Sequence, residues 1–269
     1  MKKLLITALF GAFAVAQETA PEAAPSNHSV LYQLDATTVL DGNKYQGDHF
    51  IRYSYKFADG YKLMPAVLLS TDYARANSSA EWHDTFANQY VRVELDTPKF
   101  WDIVGFKTGV RLRYYVPTTV GDESYGTLSA RLMMEQEFNS HFNLTLIPKL
   151  NMYLQRNGYN RASGDRNNIV GLALEILPQY KFSEDLTLTY DFEISGKYLG
   201  DSFAGDNNTI VKSSIYHEIE FMYNIASAGD LGLGLIAFNE FAIGNHSQAE
   251  VAKDNETNVG IRLAKSLDL

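Results

Sequence analysis

Apolar and polar residues alternate along most of this 269-residue chain. Ile51, Tyr53, Tyr55 and Phe57 alternate with Arg52, Ser54 and Lys56. Leu186, Leu188, Tyr190, Phe192 and Ile194 alternate with Thr187, Thr189, Asp191, Glu193 and Ser195. Successive side chains of a β-strand point to opposite faces, so each run has one apolar and one wet face. Twelve segments carry the pattern, at about 29–38, 48–57, 61–71, 88–96, 105–116, 126–138, 142–155, 168–180, 186–198, 210–223, 231–242 and 257–269. Most have 9 to 14 residues. Ordinary globular strands have roughly 5–6, whereas a tilted strand needs roughly 9–11 to cross a bilayer.

The connections alternate in length. Asp59-Gly60, Asn139-Ser140-His141 and the turn from Lys181 to Asp185 are short, and 97–104 and 224–230 are somewhat longer. The stretches 72–87, 156–167, 199–209 and 243–256 are long and rich in Asn, Gly, Asp and Ser, with 117–125 intermediate. With the short turns on one side, the apolar faces bring Phe57, Tyr61, Phe106, Phe138, Phe142, Tyr180 and Tyr223 to one level, and Tyr114, Tyr198 and Phe241 to the opposite rim. Aromatic rings favour the headgroup level of a membrane. The expected fold is therefore all-β, a twelve-stranded antiparallel transmembrane β-barrel over residues 29–269, with short periplasmic turns and longer outer loops.

The first residues are consistent with export. Lys2 and Lys3 precede an apolar run from Leu4 to Val15 and the small-residue site Ala14-Val15-Ala16. This reads as a signal peptide over 1–16, followed by an Ala/Pro/Glu-rich periplasmic linker over 17–28. The expected location is the outer membrane of a Gram-negative cell. The formal charge is −9, which disfavours nucleic acid as a partner. The chain has no cysteine, so intramolecular disulfides are excluded. Val259 to Leu269 alternate to the end of the sequence and resemble the C-terminal signal read by the outer-membrane assembly machinery. Leu269 stands there in place of the usual Phe, and Lys265 interrupts the apolar face.

The wet faces carry the candidate chemistry. Arg52, Arg92, Lys107, Arg111, Arg113, Arg131 and Lys149 fall on the inward parity of the earlier strands. Glu175, Asp191, Glu193, Glu218 and Glu220 fall on that of the later ones. Opposed cations and anions would set a transverse field across a narrow aqueous lumen. The same charges could instead pair and fill it. On the lipid face Ser213, His217 and Asn239 stand where Leu or Val is expected, which suggests a protomer interface or a local bulge that turns them inward. Pro65, Pro148 and Pro178 predict bulges or kinks.

Nothing points to catalysis. No His is followed two residues later by Ser on a strand, the spacing of the outer-membrane phospholipases. No phosphate loop or metal-ligand spacing occurs, so no cofactor is expected. A soluble periplasmic ligand-binding barrel, with the apolar face inside, is a further alternative.

The architecture resembles the twelve-stranded oligosaccharide and nucleoside channels. Gly109–Pro117 (GVRLRYYVP) and Arg131–Phe138 (RLMMEQEF) resemble segments of the porin-like barrels of predatory bacteria. That second resemblance implies homo-oligomeric rings that enclose lipid, and it implies no role for any single residue. The function expected is a porin-like passive channel for small polar solutes, in contact with outer-membrane lipid. A plugged structural barrel assembling as such a ring is the alternative.

Overall fold

The computed structural model describes residues 26–40, 44–75, 82–117, 124–155, 168–199, 212–229, 231–243 and 257–269. The expected signal peptide, residues 17–25 of the linker, and the long loops beyond the strand ends lie outside the described residues. The strands are β1 (His28–Val39), β2 (Lys44–Ala58), β3 (Tyr61–Arg75), β4 (Trp82–Asp96), β5 (Trp101–Ile103), β6 (Phe106–Val116), β7 (Ser124–Glu137), β8 (Phe142–Gln155), β9 (Asn168–Lys181), β10 (Leu186–Leu199), β11 (Lys212–Ile225), β12 (Leu231–Ile243) and β13 (Asn258–Asp268). All except β5 are staves of one closed antiparallel barrel. β4 pairs with β6, and β1 pairs with β13, so no barrel edge is left unpaired. Closure satisfies every stave on both sides, which a strand in hydrocarbon requires.

The staves are longer than the alternation marked. The expected loop 72–87 is mostly strand, because β3 continues to Arg75 and β4 begins at Trp82. Polar composition there had masked the pairing, in which Asp72 lies opposite Thr85 and Ala74 opposite His83. The expected turn 97–104 contains β5, which folds back on β6 with Trp101 opposite Thr108. Asp59-Gly60 does form the β2–β3 turn. Gly60 has φ 76°, and a Cβ there would lie 2.6 Å from the Pro98 ring, so glycine alone fits.

The expected bulges at the prolines do not form. On either side of Pro65, Pro148 and Pro178 the register is unchanged, and the shifts fall instead near Lys56, Leu68, Ser124 and Tyr198. A strand residue donates its N–H to only one neighbour. Pro65 therefore interrupts the ladder to β2 and keeps its place opposite Val93 of β4. Pro148 and Pro178 likewise remain paired on one side, opposite Leu174 and Leu144.

The faces sort as alternation requires. Leu172 is 48% exposed and Leu235 is 65% exposed, and Ile51, Leu112, Leu132, Ile194 and Ile261 share their outward face. An apolar exterior of this kind removes the soluble-barrel alternative, which needs those residues inside. The aromatic level at the short turns is present. Phe57 packs on Tyr61 at 5.8 Å between ring centroids, and Phe138 on Phe142 at 5.5 Å. Three residues outside the staves extend it. Phe100 meets Tyr61 at 6.1 Å, Phe182 meets Tyr180 at 4.9 Å, and Trp101 packs on Phe100. At the opposite rim the Tyr114 hydroxyl donates to the Tyr125 carbonyl. The side chains of Tyr198 and Phe241 lie outside the described residues.

Candidate functional site: the charged lumen

Register fixes which inward side chains become neighbours. Asp96, Arg111, Arg131 and Lys149 lie in one cross-strand row over β4, β6, β7 and β8. Glu94 and Arg113 form the next row, with Ser129, and Arg92 and Tyr115 the one beyond. Charges that the sequence reading opposed across the lumen instead pair largely along its wall, between neighbouring strands.

The first cluster joins β4 and β6. Glu94 is 0% exposed and accepts from Arg92 Nε at 2.5 Å and Arg113 Nε at 2.9 Å, with Arg111 Nε at 3.7 Å. Asp96 accepts a fork from Arg111, at 2.5 Å from Nε and 2.7 Å from Nη2. The Arg92 guanidinium also lies 5.2 Å from the Phe50 ring and 4.9 Å from that of Tyr90. A planar cation suits both the carboxylate and the ring faces.

The second cluster is centred on Lys149 of β8. Its ammonium bonds Glu193 of β10 at 2.5 Å and is paired with Glu175 of β9. The third holds the seam between the first and last staves. Arg262 of β13 forks onto Asp35 of β1, with both contacts at 2.8 Å. Its remaining arm reaches Glu218 at 2.9 Å and Glu220, both on β11. Tyr216 donates to the other oxygen of Glu218 at 2.6 Å.

Of the expected lumen residues, Arg92, Arg111, Arg113, Lys149, Glu175, Glu193, Glu218 and Glu220 therefore lie in ion pairs. Lys107 is exposed at the short-turn mouth, in register with Glu135 of the Lys99–Glu135 pair. Arg52 Nε and Asp191 Oδ1 are buried and have no hydrogen-bond partner among the described residues. Among the described residues Arg131 reaches hydroxyls alone, those of Ser129 at 3.3 Å and Tyr115 at 3.2 Å. Sequence reasoning missed Asp35, the partner of Arg262, and gave no role to Tyr90, Tyr115 or Tyr216. Asp35 was findable, since it has the same parity as Gln33 in β1.

Above Lys149 the lumen widens into a cavity of about 300 Å³, lined among others by Tyr153, Glu193, Ser195, Lys197, Tyr216 and Glu240. Ser195 and Ser214 share a hydrogen bond of 2.9 Å across its wall. Elsewhere apolar side chains enter the lumen, and Ile147 is 4% exposed.

On the outer face, β11 and β12 pair without a register shift, so no bulge turns Ser213, His217 or Asn239 inward. Asn239 is nevertheless 1% exposed. It lies beside His217, and its Nδ2 donates to Thr257 Oγ1 at 3.0 Å. Farther round the barrel, on β1 and β2, His49 Nδ1 and the Tyr32 hydroxyl are 2.9 Å apart. With Ala36 and Gly47, these residues are polar or small positions on an outer face that otherwise carries Ile219, Leu235, Ile261 and Ile51 over the same strands.

An apolar outside, a polar inside and complete closure define a transmembrane β-barrel of the outer-membrane porin and channel type. No family model and no curated protein matches the chain. Solved structures do. An outer-membrane channel from Pseudomonas putida F1 superposes with a TM-score of 0.54 at 12% identity, covering 93% of this chain and 100% of that one. The NanC porin superposes with a TM-score of 0.50 at 11% identity, covering 89% of this chain and 99% of that one. At such identities the likeness is one of fold.

Proposed function

We propose that the protein is a porin-like passive channel for small polar solutes, with a charge-segregated lumen. The observation that carries this reading is the inner wall. Each stave contributes at least one charged or hydroxyl-bearing side chain inward, from Asp35 and Arg52 round to Glu240 and Arg262, with Ser70 supplying β3. Guanidinium groups outnumber carboxylates in the β4–β6 cluster. Carboxylates outnumber cations in the other two clusters. Pairing within each wall weakens the transverse field without cancelling it.

The experiment is single-channel recording of the purified protein in planar bilayers. Discrete current steps in molar salt are expected. Arg111→Ser with Arg113→Ser should move the reversal potential toward cation selectivity, because it removes two cations and releases Asp96 and part of Glu94. Silence under all voltages would overturn the channel reading. It would favour a second one, a barrel filled by its own side chains, which is supported by the fully buried Glu94 and Ser129 and by Ile147 in the lumen.

The polar outer patch supports a further part of the reading, contact with a second copy of the chain through Ser213, His217 and Asn239. A polar face costs less against protein than against lipid tails. Cysteine introduced at Ala237, beside this patch on β12, should give a covalent dimer on oxidation in membranes. Cysteine at Leu174, on β9, should not. Equal and low yields at both positions would remove the interface.

A further inference from the structure

In the cation-rich wall, hydrogen-bond donors exceed acceptors. Glu94 spends one oxygen on Arg92 and the other on Arg113, while Asp96 spends both on Arg111. The Tyr115 oxygen receives Arg131 Nη2 at 3.2 Å and Arg113 Nη1 at 3.5 Å. Two incoming bonds occupy both lone pairs of a hydroxyl, so its own O–H is left to donate.

Arg131 has the least compensated position. It stands in register between Arg111 and Lys149, three cations on three adjacent strands. Its neighbours each have carboxylates, Asp96 for Arg111 and the Glu175 and Glu193 pair for Lys149. Arg131 has no carboxylate at ion-pair distance among the described residues, and Glu175, already paired with Lys149, acts on it only from farther off. Like charges directly opposite in a sheet are destabilising, so the arrangement is held at a cost. Arg52 Nε is likewise buried and without a hydrogen-bond partner among the described residues, although Glu94 and Asp96 act on that guanidinium from farther off. A buried guanidinium without an acceptor is costly in the same way. Water would supply acceptor atoms but no charge.

We propose that this wall holds an oxyanion-binding site, centred on Arg131 and the Tyr115 hydroxyl. It takes one carboxylate or phosphate group of a solute. A planar guanidinium presents paired donors to such a group, and the Tyr115 O–H adds a third. The proposal deepens the channel reading and rests on it only in assigning the bound group to a passing solute. Arg111 and Arg113, which are tied to their own carboxylates, serve to position the wall.

The test does not depend on conduction. The temperature at which the detergent-solubilised barrel loses its heat-modifiable mobility on gels is measured in inorganic phosphate and in chloride, at matched ionic strength. Wild-type protein should show a saturable rise with phosphate. Arg131→Gln should weaken the response about tenfold, as expected for one charge-assisted bond. Tyr115→Phe should weaken it less, and Lys56→Gln, at the short-turn end of β2, should leave it intact. An equal rise in wild type and Arg131→Gln overturns the site, since it would reflect only the general action of phosphate on folded proteins. If Arg131→Gln does not fold, Tyr115→Phe and Arg131→Lys decide, and unchanged phosphate responses in both overturn it. A phosphate response without channel currents leaves the site standing and removes the channel. Currents without a phosphate response do the reverse.

Discussion

Arg262→Ala is expected to cost the barrel about 3–5 kcal/mol, the penalty for removing one partner from a buried charged network. Arg262 is the cation among Asp35, Glu218 and Glu220, which come from the first stave and from β11. Without it three carboxylates face one another where the chain's two ends must join. The β12–β13 ladder is short among the described residues, from Gly232 with Ala264 to Phe238 with Asn258, whereas β1 and β13 pair from Ser29 with Asp268 to Val39 with Asn258, so the loss should fall mainly on the β11–β13 side of the cluster. Urea unfolding in detergent micelles, followed by loss of heat-modifiable mobility, measures the effect. Asp35→Asn added to Arg262→Ala should restore part of the loss, because it removes one stranded charge. The variant should also gain stability as the pH falls, since protonation of the stranded carboxylates relieves their repulsion. A loss under about 1 kcal/mol, typical of an exposed pair, would mean that the cluster is open to bulk water.

The barrel was legible because its two solvents impose different chemistry on alternate residues. Runs such as Ile51 to Phe57 and Leu186 to Ile194 need no neighbour to reveal their faces, and lengths beyond those of globular strands indicated a membrane. What failed was the reading of strand ends. Above the bilayer a stave no longer needs an apolar face, so Asp72 to Arg75 and Trp82 to Ala87 look like loop while forming a regular ladder. The prolines failed for another reason. Composition shows the missing donor, but not that each strand residue serves one neighbour only, so that one ladder can lapse while the other keeps the register.

The lumen was half legible. Parity identified which charges point inward, but pairing depends on register between strands far apart in sequence. Asp35 and Arg262 become neighbours only when the first and last staves meet. Lys149 finds Glu193 two strands away, and the row Asp96, Arg111, Arg131, Lys149 exists only once three ladders are aligned. For the same reason the arginines most prominent in the sequence, Arg111 and Arg113, are held by carboxylates, while Arg131 has none at ion-pair distance among the described residues.

Glu94→Gln should have the mirror-image effect of losing Arg262. Glu94 is the fully buried acceptor between Arg92 and Arg113, with Arg111 close by, and only Asp96 remains as a carboxylate in that cluster. Glutamine keeps the shape and one acceptor oxygen, but it removes the charge and turns an amide donor toward a guanidinium. The expected loss is again about 3–5 kcal/mol. Its accompanying signs are opposite to those of Arg262→Ala. Lowering the pH should bring no recovery, because the stranded groups are arginines that stay charged. Phosphate at fixed ionic strength should recover more stability than in wild type, since an oxyanion replaces the missing charge. In bilayers the reversal potential should move toward anions. Destabilisation without the anionic shift would mean that Glu94 only holds β4 against β6 and that solutes do not sense the cluster. An anionic shift with stability unchanged would mean that water already offsets these guanidiniums, leaving no need for a bound oxyanion.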